Sequence, residues 1–177
     1  MSKKGIFKWC WAIVLSLCLL IFVSESALAE PIAQPCKMSK AGLDVIKKSG
    51  KDPSQVHEQT LKQIPSRDSW HLPVYPGAQF ASRVDGSDAM FPSINLVSGD
   101  PPEMVRAWYR EQLKGWRFDA MYQIFHEKQG KIDLGEMYST QNINVMEENG
   151  DGMDLMFFDV PNVKTRIQIM YDPAKQN

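Results

Sequence analysis

The sequence lacks an excess of charge of either sign. Its 177 residues carry 20 Lys and Arg against 21 Asp and Glu, a formal net charge of −1. Nucleic-acid-binding domains are typically strongly basic, so this balance argues against nucleic acid as a partner. The chain is 44% hydrophobic and 23% charged, which excludes disorder throughout and a protein with many membrane spans. Its length predicts a single main domain.

Motifs of catalysis and metal binding are also missing. The sequence contains no Gly-x-Ser-x-Gly, no Ser-x-x-Lys paired with Lys-Thr-Gly, no phosphate-binding Gly-rich loop and no Cys-x-x-Cys. The three histidines, His57, His71 and His126, do not have the i, i+4 spacing of a metal-binding helix. We therefore expect no metal and no cofactor, and the sequence favours a binding protein over an enzyme.

The first 29 residues have the pattern of a secretory signal peptide. Three lysines lie within the first eight residues, an apolar run follows over 9–23, and Ala27 and Ala29 occupy the small-x-small positions that signal peptidase accepts. The apolar run of 15 residues is shorter than the roughly 20 that a transmembrane helix needs. We expect cleavage after Ala29, export to the periplasm or the medium, and no stable membrane span after cleavage. An uncleaved anchor is the alternative.

Cleavage would remove two of the three cysteines of the chain. Removal of Cys10 and Cys18 leaves Cys36 as the only thiol of the mature chain, and one thiol cannot form an internal disulfide. The core must therefore be held by packing alone. Self-assembly through Cys36 or through an exposed strand edge remains a further hypothesis.

Helical patterns occur in three places. Two short amphipathic helices are predicted over 39–48 and 53–64. A longer one is predicted over 100–114, where Asp100 can cap the first turn and Gly115 can end the last one.

Strand patterns occupy most of the rest. Strands are predicted over 80–84 and 91–97, followed by alternating apolar and polar residues over 116–124, 142–145 and 163–171. An Asn-Gly turn over 149–152 introduces one more strand over 153–158.

This order of elements predicts an α+β fold with an antiparallel sheet of about five to six strands. The main helix would pack on one face of the sheet, and the two short N-terminal helices are candidates to cover the other face. After the signal peptide, the predicted organisation is a flexible lead-in over 30–38, a helical segment over 39–66 and the α+β domain over 70–173.

Two segments resemble a pattern found in small exported bacterial proteins of unassigned function. The first is Leu-Pro-Val-Tyr-Pro-Gly-Ala at 72–78, and the second is Asp-Pro-Pro-Glu-Met-Val-Arg-Ala-Trp-Tyr at 100–109, which continues to Leu113, Gly115 and Trp116. In those proteins a Pro-x-Tyr-Pro-Gly-Ala segment precedes a strand pair and then a helix that ends in Leu-x-Gly-Trp.

The resemblance covers about residues 72–118 and implies fold and export only. It implies no catalytic residue. A structural role explains the same residues, because Trp108 and Trp116 would bury large areas where the helix meets the sheet.

Large apolar side chains also occur at the alternate strand positions, which face away from the predicted core. A purely solvated sheet face would carry fewer of them. The N-terminal helices would explain them by covering that face. The functional alternative is a docking face for an envelope protein or a small apolar ligand, formed by Met121, Phe125, Met156, Phe158, Met170, Arg117 and Arg166.

Taken together, the sequence predicts an exported bacterial envelope protein that acts as a non-catalytic binding or accessory domain. The alternative is an envelope hydrolase whose site is assembled from scattered residues such as His71, His126 and Asp119.

Overall fold

A computed structural model of the chain describes residues 30–148, 158–160 and 162–176. Its centre is an open sheet of seven strands in the order β1-β2-β3-β7-β6-β5-β4. Every pairing is antiparallel except the parallel pair of β1 and β2. The strands are β1 (Gln34–Pro35), β2 (Gln79–Val84), β3 (Ser93–Ser98), β4 (Arg117–Asp119), β5 (Ile124–His126), β6 (Asn142–Glu147) and β7 (Thr165–Met170).

The described residues form four α-helices beside the sheet, so the predicted α+β class is confirmed. They are α1 (Lys40–Lys48), α2 (Pro53–Gln63), α3 (Pro102–Gln112) and α4 (Leu134–Met137). Side-chain caps begin α1 and α2, since Ser39 accepts a hydrogen bond from the N–H of Gly42 and Asp52 accepts one from that of Ser54. The three longer helices lie within the ranges predicted for them.

The described residues form seven strands rather than five to six, because the predicted lead-in supplies β1 and one predicted strand is divided into β4 and β5. The strand predicted over 116–124 is interrupted by a turn, because the Asp119 side chain accepts hydrogen bonds from the N–H groups of Met121 and Tyr122. Gln123 completes the turn with a positive φ of 56°. The predicted strand over 153–158 lies outside the described residues except for Phe158, which forms an isolated bridge with Met38.

The lead-in predicted over 30–38 also differs from the structure. It supplies β1, and Ile32, Ala33 and Cys36 are buried there. The N–H of Cys36 donates to the carbonyl of Phe80 at 2.8 Å. Pro35 is compatible with this short edge strand, since a proline at an edge costs few ladder hydrogen bonds.

The main core lies between α3 and one face of the sheet. Val105 and Tyr109 of α3 are fully buried against strand residues that include Phe80, Ile143 and Ile167. Ile64, which ends α2, joins this same core. The start of α3 differs in one detail from the prediction: Pro101 is the N-cap, and the Asp100 carboxylate instead accepts a hydrogen bond from the Tyr75 hydroxyl at 2.8 Å.

The opposite face of the sheet is more polar. Near Val97 it is covered by Phe158, Val160 and Val163 rather than by a helix. Register places the amides Asn95, Gln168 and Asn144 side by side on that face, across three adjacent strands. Within the described ranges, the helices are too short or too polar for any of them to cross a membrane.

Candidate functional site

A cleft of about 320 Å³ lies at the C-terminal end of α3. This volume is at the small end of the range for ligand sites. Three elements besides α3 meet there: the loop before the first long strand, the residues flanking β5 and β6, and the C-terminal 3-10 turn Pro173–Lys175. The lining residues are His71, Leu72, Pro73, Gln112, Leu113, Lys114, Trp116, Glu127, Gln141, Lys175 and Gln176.

The way α3 ends shapes one wall of the cleft. Gly115 has a φ of +88°, a conformation that glycine adopts without strain and that commonly ends helices. The chain therefore turns sharply, and the N–H of Trp116 donates to the carbonyl of Leu113 at 3.1 Å. Trp116 is half-buried, packs against the main core and lines the cleft.

Two glutamines in the lining are held by the backbone. Gln141 and Gln176 are 5% and 9% exposed. The Oε1 atom of Gln176 accepts a hydrogen bond from the N–H of His71 at 3.1 Å, and that of Gln141 accepts one from the N–H of Asp172 at 3.2 Å. In both side chains the amide oxygen therefore accepts from the backbone, and the Nε2 group is the other end of the amide. The two Nε2 groups have no hydrogen-bond partner among the described residues.

Charge in the cleft is mixed, with an excess of cations. Lys175 donates to Glu127 with an Nζ–Oε1 distance of 2.6 Å. Lys114 has no ion-pair partner in the part of the chain that the structure describes. Lys114, Lys175 and Glu127 together give the lining one positive charge more than negative charge.

This arrangement is suited to holding a small polar molecule. It offers two fixed amide donors, two ammonium groups, one carboxylate and an indole. None of the lining residues is a serine, threonine or cysteine, so no side chain of the usual hydroxyl or thiol nucleophiles lies in the cleft. The described residues also contain no group of three or more His, Cys, Asp or Glu side chains that could hold a metal ion.

The residues predicted to form a docking face do not lie on one face. Phe125 is 2% exposed and belongs to the core under α3, whereas Met170 is 4% exposed on the opposite side of the sheet. Met121 is 82% exposed in the turn between β4 and β5. The turn after Asp119 shifts which side chains point to which face of the sheet. Counting alternate residues straight through the turn therefore placed Phe125 on the wrong face.

Of the remaining predicted docking residues, Arg117 and Arg166 share the polar face with Met170, as the strand register shows. Arg117 is exposed on the edge strand β4, and Phe158 covers the far part of the polar face beside Val97. Arg166 is ion-paired with Glu148, with an Nε–Oε2 distance of 3.0 Å. Met156 lies outside the described residues.

The three residues considered for a hydrolase are not brought together. His71 lines the cleft on the α3 side, while register places His126 and Asp119 on the opposite face of the sheet. His126 is 1% exposed, and its Nδ1 atom has no hydrogen-bond partner among the described residues. Burial lowers the pKa of His126, although the nearby carboxylate of Asp119 opposes the shift.

The thiol considered for self-assembly is covered in the folded chain. Cys36 is 4% exposed and packs with Ala81 and Val97. Burial raises its pKa to about 12. A disulfide between two molecules through Cys36 would require β1 to leave the sheet.

Of the cleft residues, sequence reasoning considered His71 as a functional candidate and Trp116 as a core residue. Gln141 and Gln176 carry no sequence signal, because neither belongs to a motif and their role comes from backbone groups that are distant in the chain. Two local signals point to this place: the run Leu-Lys-Gly-Trp at 113–116, and Leu72 and Pro73, which begin the segment 72–78.

Comparison with known protein families, with curated proteins and with solved structures finds no match to this chain. The function must therefore be argued from the residues of the cleft and from the sequence pattern of the N-terminus.

Proposed function

We propose that this chain is an exported bacterial envelope protein that binds a small polar ligand in the cleft at the end of α3. The observation that carries the proposal is the pair of buried glutamines in that cleft. Each side chain is oriented by a backbone N–H group, and its Nε2 group has no hydrogen-bond partner among the residues that the structure describes. Neither Nε2 group is among the buried atoms that lack a partner, so both are open to solvent, and a ligand in the cleft can accept hydrogen bonds from them.

Export rests on the pattern of residues 1–29, which lie outside the described part of the chain. One structural fact supports it. One of the two compact units of the chain spans Pro31–Asn177, and it begins one residue after Glu30, the expected first residue of the mature chain. Cleavage after Ala29 would therefore remove none of the residues that pack in this unit.

The resemblance to small exported bacterial proteins is part of the same proposal. Its two segments contact each other directly, since the Tyr75 hydroxyl donates to Asp100 and the rings of Tyr75 and Trp108 meet edge to face with centroids 5.4 Å apart. The shared pattern would then describe a common way of fixing the main helix on the sheet. The same helix end carries Leu113 and Trp116 into the cleft.

The ligand proposed here is polar, whereas the sequence suggested an apolar one. The apolar ligand was inferred from a docking face that included Phe125, which lies in the core, and Met121, which lies in an exposed turn. The cleft lining, in contrast, is rich in hydrogen-bonding side chains, and such groups favour ligands that can pair with each of them.

Nuclear magnetic resonance of ¹⁵N-labelled protein tests the proposal. Neutral sugars, sugar acids, amino sugars and short dicarboxylates are added singly at millimolar concentration. We expect at least one class to shift the indole N–H of Trp116 together with the side-chain amides of Gln141 and Gln176. The indole of Trp108, outside the cleft, and the exposed amide of Gln59 are internal controls and should not move. Shifts spread over the surface, or a cleft that no class perturbs, would contradict the proposal.

A further inference from the structure

We infer that the cleft selects an anion, specifically the carboxylate of a hydroxylated acid about the size of one sugar ring. This inference rests on the proposed function, because it assigns a ligand class to the same cleft. It depends on three properties of the lining: its balance of donors and acceptors, its charge and its size.

Donors outnumber acceptors in the cleft. The Nε2 groups of Gln141 and Gln176 only donate, since each Oε1 is occupied by a backbone N–H. The ammonium groups of Lys114 and Lys175 also only donate. Glu127 is the only carboxylate in the lining, and it is already engaged by Lys175. A ligand rich in acceptors therefore satisfies more of these groups than a ligand rich in donors.

The charge of the lining favours an anion over a neutral acceptor. Lys175 and Glu127 neutralise each other, and Lys114 remains as a cation without a partner in the described ranges. The C-terminal end of α3 lies beside it and contributes a partial negative charge of about one half. Lys114 directly follows Leu113, the C-cap of the helix, so its full charge exceeds that contribution. Hydrogen bonds from cations and amides to a carboxylate are stronger than those to neutral oxygen.

The size of the cleft and the indole of Trp116 restrict the rest of the ligand. A cleft of about 320 Å³ accommodates a small molecule rather than a polymer segment. Trp116 is half-buried and adds an amphipathic surface that can pack on the C–H groups of a ring. A polyhydroxylated ring with one carboxylate meets both requirements.

The test compares three compounds with one ring frame: glucuronate, glucose and glucosamine, which differ in charge. Titrations are followed at the Trp116 indole and at the amides of Gln141 and Gln176. We expect glucuronate to bind at least about tenfold more tightly than glucose, and glucosamine to bind most weakly.

A matched pair of variants tests the donors themselves. Gln176→Glu keeps an oxygen for the N–H of His71 and replaces the free amide by a carboxylate oxygen. Glucuronate affinity should fall by at least about tenfold, with glucose affected less. Gln59→Glu makes the same chemical change on exposed α2 and should bind like the wild type. If Gln176→Glu does not fold, the double variant Lys114→Ala/Lys175→Ala provides the test, with Lys47→Ala/Lys48→Ala on α1 as its control.

The outcomes separate the two proposals. Equal binding of glucuronate and glucose in the cleft would overturn the anion inference and leave the proposed binding function standing. Tighter binding of glucosamine than of glucuronate would mean that the cleft prefers a cation, and this would also overturn the anion inference. If none of the three compounds perturbs the cleft, the inference is wrong, and the wider panel decides whether the cleft binds another class.

Discussion

On the polar face of the sheet, burial affects the protonation of one residue, His126. His126 is covered almost completely, and no protein atom in the described residues accepts from or donates to its Nδ1. Its protonated form would therefore be desolvated, with Arg117 and Lys128 nearby as additional cations and Asp119 as the partial compensation. The folded protein consequently favours the neutral imidazole.

This environment predicts a loss of stability in mild acid. Burial lowers the pKa of His126 below its ordinary value of 6.5, so between those two values the unfolded chain binds more protons than the folded one. The free energy of unfolding should therefore fall as the pH drops from about 7.5 to about 5.5. Urea unfolding at a series of pH values measures it. The variant His126→Gln lacks the titration and should show a flatter curve; parallel curves for the two proteins would contradict this account.

A second prediction about single residues compares two methionines that differ in exposure, Met170 and Met121. Met170→Asp places a carboxylate on a side chain that is 4% exposed and should destabilise the protein by more than about 3 kcal/mol. Met121→Asp changes a side chain that is 82% exposed and should alter stability by no more than about 0.5 kcal/mol. Thermal or urea unfolding of both variants checks the pair. A large loss at Met121 would show that the turn is covered in solution.

Among the elements, the helices differ in how much they bury. The main helix, α3, buries Pro102, Val105 and Tyr109, whereas α1 buries only Gly42 and α2 buries no residue within its bounds. Short helices have little stability of their own in water. The stability of α1 and α2 must therefore come from caps and from chain ends such as Ile64.

Hydrogen exchange should reveal this difference. We expect the backbone amides of α1 and α2 to exchange at least about tenfold faster than those of α3, because local opening exposes little apolar surface. Mass spectrometry of peptic fragments resolves the three helices. Equal protection would mean that another surface covers α1 and α2 in solution, and dilution of the protein would then test for self-association.

At the scale of the whole molecule, export and folding are predicted to be independent. One compact unit spans Pro31–Asn177, so a chain of residues 30–177 that is synthesised without residues 1–29 should fold and show a cooperative thermal transition. Intact-mass measurement of protein recovered from the cell envelope should give the mass of residues 30–177. A mass that includes residues 1–29 would overturn cleavage and favour the membrane anchor.

Part of the fold could be predicted because its signals are local. The main helix follows from its prolines near the start and from Gly115 after its end, and β6 and β7 follow from simple alternation of apolar residues. The prediction failed where one hydrogen-bonding side chain outweighed periodicity. Asp119 binds two backbone N–H groups and ends the strand early, which moved Phe125 to the other face.

The candidate site could not be predicted in the same way. Gln141 and Gln176 become useful donors only because the N–H groups of Asp172 and His71 hold their oxygens, and those contacts join residues 31 and 105 positions apart. Nothing in the local sequence of a glutamine distinguishes it from an exposed one.

The sequence by itself determined the class of fold, the position of the main helix and the expectation of export, since all three depend on residue patterns within short windows. Tertiary structure alone decided which strand faces are buried, that Cys36 is covered, and where a cleft forms. Those properties depend on register and on contacts between distant segments, because a single turn can exchange the two faces of a strand.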